Sequence, residues 1–226
     1  METQGTLYVV ATPIGNLEDI TVRAIRMFTE VAYILCEDTR VTGKLLKHYN
    51  ITTKMKRYDA HSTMKLQEEV LADLESGKQI ALCSDAGTPG ISDPGMHIVN
   101  RVLSSNSSAQ IVAVPGASSV TAAFSIAGVS GNQFSFVGFL PQKKGRQTFF
   151  ATLNDSQIPV IFLESTHRIM KTLDSLVTYC PLKNIVICRE MTKFHEEVVR
   201  GTPIEVLQYF TEHVDHQKGE FVVIVY

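Results

Sequence analysis

No apolar run in this chain reaches the length needed to cross a bilayer, and its first residues, Met1 to Leu7, lack the cationic start and apolar stretch of a signal peptide. The expectation is a cytoplasmic protein with no membrane partner. Neither sign of charge is in surplus: 21 Lys and Arg face 23 Asp and Glu, a formal net charge of -2. Nucleic acid would therefore be attracted only by local patches. Cysteine is sparse, and Cys36, Cys83, Cys180 and Cys188 show neither C-x-x-C spacing nor a companion histidine cluster. That excludes a zinc site of the usual kind and gives no reason to expect any metal. Cys36 and Cys83 each close an apolar run and read as small buried hydrophobes. Also missing are G-x-G-x-x-G and G-x-x-x-x-G-K-[ST], which disfavours dinucleotide and P-loop phosphate sites. No fixed-period repeat or low-complexity tract is present.

What remains is an ordinary globular composition, 44% hydrophobic and 19% charged, over 226 residues. That length suits two small α/β domains sharing an interface. Short β-rich runs alternate with stretches of helical period: "TLYVVA", a helix from Thr21 to Glu30, "VAYILC", and a helix near Val41 to Tyr49. Ser62 is placed to cap a helix along which Leu66, Val70 and Leu74 recur on one face, and Gly77 stops it. "QIALC", a helix around His97 to Ser104, "QIVAV" and a helix from Ser118 to Ala127 follow. After the strand "NQFSFVGFL" comes "PQKKGRQ", a basic linker or loop. The rest reads as "PVIFLE", a helix from His167 to Tyr179, "NIVICRE", "EEVVRG", a helix from Pro203 to His213, and "EFVVIVY". Two α/β domains are expected, residues 1–115 and 116–226.

The segments with chemical content follow the apolar strands, where open α/β sheets place their ligand crevices. In "ATPIGN", Pro13 stiffens a turn and Gly15 permits a positive φ, bringing backbone close to a ligand. "EDTR", Glu37 to Arg40, sets three charges at a strand end, with Asp38 equally readable as a helix cap. "SDAGTPGISDPG", Ser84 to Gly95, is the most informative: its glycines admit close backbone approach, its prolines limit the entropy lost on ordering, and its aspartates accept from an amine or ribose hydroxyl. "PGASS" leads into a helix, where Ser118 and Ser119 either cap it or join its N–H groups in receiving a carboxylate. "LESTHR" and "REMTKFHEE" add acids, bases and histidines after strands of the second half.

In their order along the chain, "LYVVATPIGNLEDIT", "EDTR", "SDAGTPGISDPG", "PGAS", "GFLP", "E-x-x-HR", "RE-x-TK-x-HEE-x-x-RG" and "GE" resemble the motifs of the tetrapyrrole methylase family, from Thr6 to about Tyr226. The likeness is to its branch that methylates a cytidine ribose 2′-hydroxyl in small-subunit (16S) ribosomal RNA. Gly87, Thr88 and Pro89 stand where tetrapyrrole-modifying relatives carry a G-D-P-type triplet, which favours the RNA branch. The resemblance implies a two-domain tetrapyrrole-methylase-like α/β fold, with S-adenosylmethionine in a cleft between the domains of a homodimer. It implies cofactor contacts from Pro13, Ile14, Gly15, Asp85, Gly87, Thr88, Pro89, Ser118, Ser119, Leu163 and Glu164, with adenine toward the second domain. This chain departs from the pattern at Met191, where a leucine is common, and in "SSVT" after "PGA". Many members also continue into a small helical tail, and without one the grip on RNA is expected to rest on local cations.

Methyl transfer from a sulfonium to a hydroxyl is an in-line displacement that alignment alone accelerates greatly, so a base helps but is not obligatory. The acid–base candidates are Glu37, Asp38, Glu164, Glu190 and His195; Arg40, Arg168, Arg189 and Lys193 are candidates to hold phosphate or ribose. Lys143, Lys144 and Arg146 are expected to grip RNA phosphates, and Gly87→Val to remove cofactor binding while leaving the fold largely intact. Two other readings stand beside this one: a tetrapyrrole C-methyltransferase, which would want a roomy apolar cleft, and a non-catalytic module that senses the cofactor or docks on the ribosome.

Overall fold

The computed structural model describes residues 4–59, 64–93, 95–105 and 107–226. Ser62, the expected helix cap, lies outside the described residues, as does Pro94 of the long central loop. The chain forms two compact units, Met1–Ser118 and Ser119–Tyr226. The division falls after Ser118 rather than after residue 115, and the Ala117 carbonyl is tied to the first unit by the Thr88 hydroxyl.

The first unit is a parallel sheet of β1 (Thr6–Val10), β2 (Tyr33–Cys36), β3 (Met55–Arg57), β4 (Gln79–Cys83) and β5 (Gln110–Val114), in the order β3-β2-β4-β1-β5. Its central strands are covered on both faces, which is why they read as continuous apolar runs. One face packs against α1 (Val22–Glu30) and α2 (Thr39–His48) through Met27, Phe28, Leu45 and Leu46. The other packs against α3 (Met64–Glu75) and α4 (Gly95–Ser104) through Val70, Leu74, Ile98 and Val102. Local chemistry marks the ends: the Thr21 hydroxyl caps α1 by accepting from the Ala24 N–H at 3.0 Å, and Gly77, at φ +86°, ends α3.

The second unit begins with α5 (Ser119–Ile126) and has a mixed sheet of β6 (Ser135–Phe139), β7 (Val160–Ser165), β8 (Ile185–Arg189), β9 (Glu197–Gly201) and β10 (Glu220–Val225), ordered β6-β7-β10-β8-β9. Only the β6–β7 pair is parallel. On one face α6 (Arg146–Asp155), α7 (Ile169–Tyr179) and α8 (Pro203–Glu212) bury Phe150, Leu173 and Phe210 against Phe162, Ile187 and Val223. Sequence periodicity missed α6, because its apolar contribution is a short stretch behind a basic loop, and it missed the three-residue β3. Cys36 and Cys83 pair across neighbouring strands and are fully buried free thiols, as small core residues should be. Among the described residues no helix is long and apolar enough to span a membrane.

Candidate functional site

In the first unit, β1 and β4 are neighbours whose following helices lie on opposite faces of the sheet. Such a reversal opens a crevice at the carboxyl ends of the strands. The loops that leave β1 and β4 meet there. Thr12 and Gly87 form an isolated antiparallel bridge, the Thr12 N–H donating to the Gly87 carbonyl at 3.0 Å and the Gly87 N–H to the Thr12 carbonyl at 3.1 Å. The Thr12 hydroxyl donates to the Ser84 carbonyl at 3.1 Å, and the Thr88 hydroxyl to the Ala117 carbonyl at 3.2 Å. Three segments far apart in sequence, around Pro13, Gly87 and Gly116, are thus tied at one point.

The glycines here have unequal roles. Gly87 sits at φ +77°, and a Cβ would meet Ile14 Cγ2 at 3.3 Å and the Ala117 carbonyl at 3.6 Å. Gly116 lets the chain pass β1 closely, since a Cβ there would lie 3.0 Å from that of Ala11. Gly15 permits a positive φ but does not adopt one, and the residue is exposed. Pro13 and Pro89 are buried, whereas Ile14, Asp85, Thr88, Ser118 and Ser119 are half-buried.

The "EDTR" segment joins this junction through Asp85, whose carboxylate accepts the Asp38 N–H at 3.0 Å. Asp38 caps α2 by accepting the Arg40 N–H at 2.8 Å, and its other oxygen accepts from Arg40 Nη2 at 2.6 Å. Those side-chain and backbone bonds from Arg40 hold the Asp38 carboxyl well below the usual range, which makes it a weak base. Glu37 behaves oppositely: burial first, then the charges of Asp85, Asp93, Asp59 and Asp38, push its carboxyl up. A carboxyl that holds its proton more firmly when folded favours folding below its unfolded pKa of about 4.3, and loses that contribution as pH rises through its folded pKa. Glu37→Gln should therefore gain stability relative to the unsubstituted chain as pH climbs above about 4. Denaturant titrations across pH check this; an offset that does not vary with pH would contradict it.

In the second unit the candidates are engaged with one another. Glu190 and Thr192 hold positive φ values of 49° and 64°. Burial opposes ionisation of Glu190, yet the Glu220 N–H and Lys193 ammonium, each 2.9 Å from its Oε1, bring its carboxyl below the ordinary range. Lys193 also reaches Glu220 Oε2 at 2.9 Å. His195 is exposed, and its carbonyl accepts from Arg189 Nη1 at 3.2 Å. Arg189 is buried and donates further to the carbonyls of Lys218 and Asp215, so its guanidinium braces loops instead of offering a phosphate site.

The end of β7 carries a buried polar network that sequence reasoning missed. One Glu164 oxygen accepts from the Thr172 hydroxyl at 2.7 Å; the other accepts the Ser165 N–H at 2.9 Å and lies 3.3 Å from Arg168 Nε. Arg146 Nη2 donates to Thr172 at 2.8 Å, and Arg168 Nη2 to the Leu140 carbonyl at 2.6 Å. Arg146 is only 7% exposed, which corrects its expected place among the RNA-gripping surface cations; Lys143 and Lys144 are exposed. A glutamate closing "VIFLE" was the available signal, because a buried carboxylate demands a cation. Leu163 is half-buried beside it.

Fold and site together define a two-sheet α/β protein whose glycine- and proline-containing loops converge at the carboxyl ends of parallel strands, where such sheets take their ligands. A family described as Tetrapyrrole (Corrin/Porphyrin) Methylases matches residues 6–206. The chain is 43% identical, over 99% of its length and 76% of the relative's, to Ribosomal RNA small subunit methyltransferase I of Halalkalibacterium halodurans. It is 42% identical to the protein of the same name from Synechocystis, over 98% of this chain and 78% of that one. Among solved structures, the cobalamin biosynthetic enzyme cobalt precorrin-4 methyltransferase superposes with a TM-score of 0.69 at 16% identity, covering 97% of this chain and 94% of its own. Uroporphyrin-III C-methyl transferase from Thermus thermophilus, complexed with S-adenyl homocysteine, gives 0.63 at 15% identity over 97% of each chain. The chain belongs to the tetrapyrrole methylase family and has its two-domain α/β fold.

Proposed function

We propose that this chain is an S-adenosylmethionine-dependent methyltransferase that acts on the 2′-hydroxyl of a cytidine in small-subunit (16S) ribosomal RNA, in the cytoplasm and as a homodimer. The observation that carries the reading is the junction of Thr12, Gly87 and Ala117, where bare backbone from three loops converges at the carboxyl ends of β1 and β4. Support for RNA as acceptor comes from relatives 43% and 42% identical whose names specify the small-subunit RNA. The ligand named for the Thermus structure supports the cofactor.

In the first unit Pro13, Ile14, Gly15, Asp85, Gly87, Thr88, Pro89 and Ser118 would be cofactor contacts; in the second unit the candidates are Ser119 and Leu163. Both oxygens of the Glu164 carboxylate already have protein partners, which favours for it the role of steadying that strand end. In the reaction the ribose oxygen bonds to the methyl carbon as the carbon–sulfur bond breaks, and the hydroxyl proton leaves to a base. Glu37, with its raised pKa, is the better matched base at neutral pH than Asp38. For the homodimer, Val137 and Phe139 expose 41% and 55% of their surface on the edge strand β6.

Labelled cofactor incubated with small ribosomal subunits should transfer its methyl group to RNA. Saturating cofactor, at about 100 times its Kd, should also stabilise the protein by about 2.7 kcal/mol. No thermal shift and no label in RNA would overturn the reading, and sedimentation at a concentration-independent monomer mass would overturn the dimer.

A further inference from the structure

Helix α4 carries His97, Asn100, Arg101 and Ser104 at i, i+3, i+4 and i+7, one continuous polar stripe, while Ile98 and Val102 bury the opposite side at 0% and 3% exposure. A solvated helix face normally looks outward over a convex surface. This one lines a concavity of about 420 Å³, closed by Gln67 of α3 and by Tyr58 and Asp59 just beyond β3. That volume falls within the roughly 300–1,000 Å³ of small-ligand sites. Because Tyr58 and Asp59 follow a strand of the parallel sheet, the groove opens at the same carboxyl edge as Glu37, Asp38 and the Gly87 junction.

The groove's chemistry is that of nucleotide recognition. Among the described residues no hydrogen bond or ion pair engages the side chains of His97, Asn100 or Arg101, so their donors and acceptors face the groove unsatisfied by protein. Asp59, the one acid among the described lining residues, is offset by Arg57 at 2.8 Å. Two amides, an imidazole and a guanidinium can bond the edge of an unstacked base and its phosphate, the mode by which single-stranded RNA is read. Gln67 is already oriented by its contact with the Tyr58 hydroxyl at 3.4 Å.

We infer that this groove receives a nucleotide flanking the methyl acceptor, with Arg101 and His97 on its phosphate and Asn100 and Gln67 on its base edge. The inference rests on the RNA reading above. Arg101→Ala and Asn100→Ala test it on assembled small subunits, since neither side chain holds the fold together. Arg101→Ala should weaken subunit binding about tenfold or more and flatten the log-affinity versus log-salt slope by roughly 0.7 to 0.9. Asn100→Ala should weaken binding with the slope unchanged, and both variants should keep wild-type cofactor affinity. Wild-type affinity and slope in both variants would overturn the inference. So would weakened binding with an unchanged slope in Arg101→Ala, which would put a ribosomal protein surface in the groove. Failure of the functional reading looks different: the unsubstituted protein would label no RNA in those subunits.

Discussion

Gly87→Val should lose cofactor binding and destabilise the first unit at the same time. At φ +77° a side-chain-bearing residue pays a steric penalty of about 1–2 kcal/mol, and a β-branched one more. Its Cβ would also press on Ile14 Cγ2 at 3.3 Å, and relief by moving the backbone would break the paired hydrogen bonds to Thr12. A cost of roughly 2–3 kcal/mol is expected, which for a protein of this size lowers Tm by about 5–10 °C. Because the same displacement moves the loop proposed to hold the cofactor, affinity should fall on the order of a hundredfold. The fold should stay largely intact but lose stability, because Gly87 belongs to a junction and not to a free loop. Calorimetric titration alongside thermal melts separates the effects. A lower Tm with unchanged cofactor affinity would reduce the loop to a structural turn.

The second large effect lies in the other unit. Glu164→Gln keeps the shape of the side chain but removes the only negative charge in the network that joins Thr172, Arg146 and Arg168. Breaking a buried pair by removing one partner typically costs 3–5 kcal/mol, and because Arg168 keeps 21% of its side chain exposed, about 3 kcal/mol is expected. Arg146→Met alone should cost less, about 1–2 kcal/mol: Glu164 would retain Arg168 and the Ser165 N–H, and the buried Arg146 Nε, which has no hydrogen-bond partner among the described residues, would be removed with the charge. Combining the two should be milder than their sum, since the second change removes the cation that the first left uncompensated. Thermal and denaturant unfolding of the three variants measure this. A Glu164→Gln protein as stable as the parent, with weakened cofactor binding, would instead return Glu164 to the cofactor.

The loops of the first unit were legible because its central strands, β1, β2 and β4, are mostly buried parallel runs, and such a run must end in a loop at the carboxyl edge. The motif "SDAGTPG" declared its backbone demands in its own composition, and Gly87 meets them at a positive φ. Gly15, in the same kind of setting, does not, because a glycine permits that region without requiring it. Asp38 was readable both as a cap and as an acid–base candidate; its bond to the Arg40 N–H makes it the cap of α2, and its bonds to the Arg40 guanidinium make it a weak base. Arg189 and Arg146 resembled surface cations until their carbonyl and hydroxyl partners appeared.

By itself the sequence determined what is local: the strand runs, the cap that Asp38 offers α2, the helix stop at Gly77, and the order of motifs that marks the family. Those follow from neighbours a few residues apart, whose steric and hydrogen-bonding preferences act along the chain. Only the tertiary structure decided which charges face solvent and which face each other. Arg146 meets Thr172 across 26 residues, Asp38 meets Asp85 across 47, and Thr12 meets Gly87 across 75. Such pairings are chosen by packing of the sheets and helices that carry them, and a carboxylate's affinity for its proton is set by the partners that packing supplies.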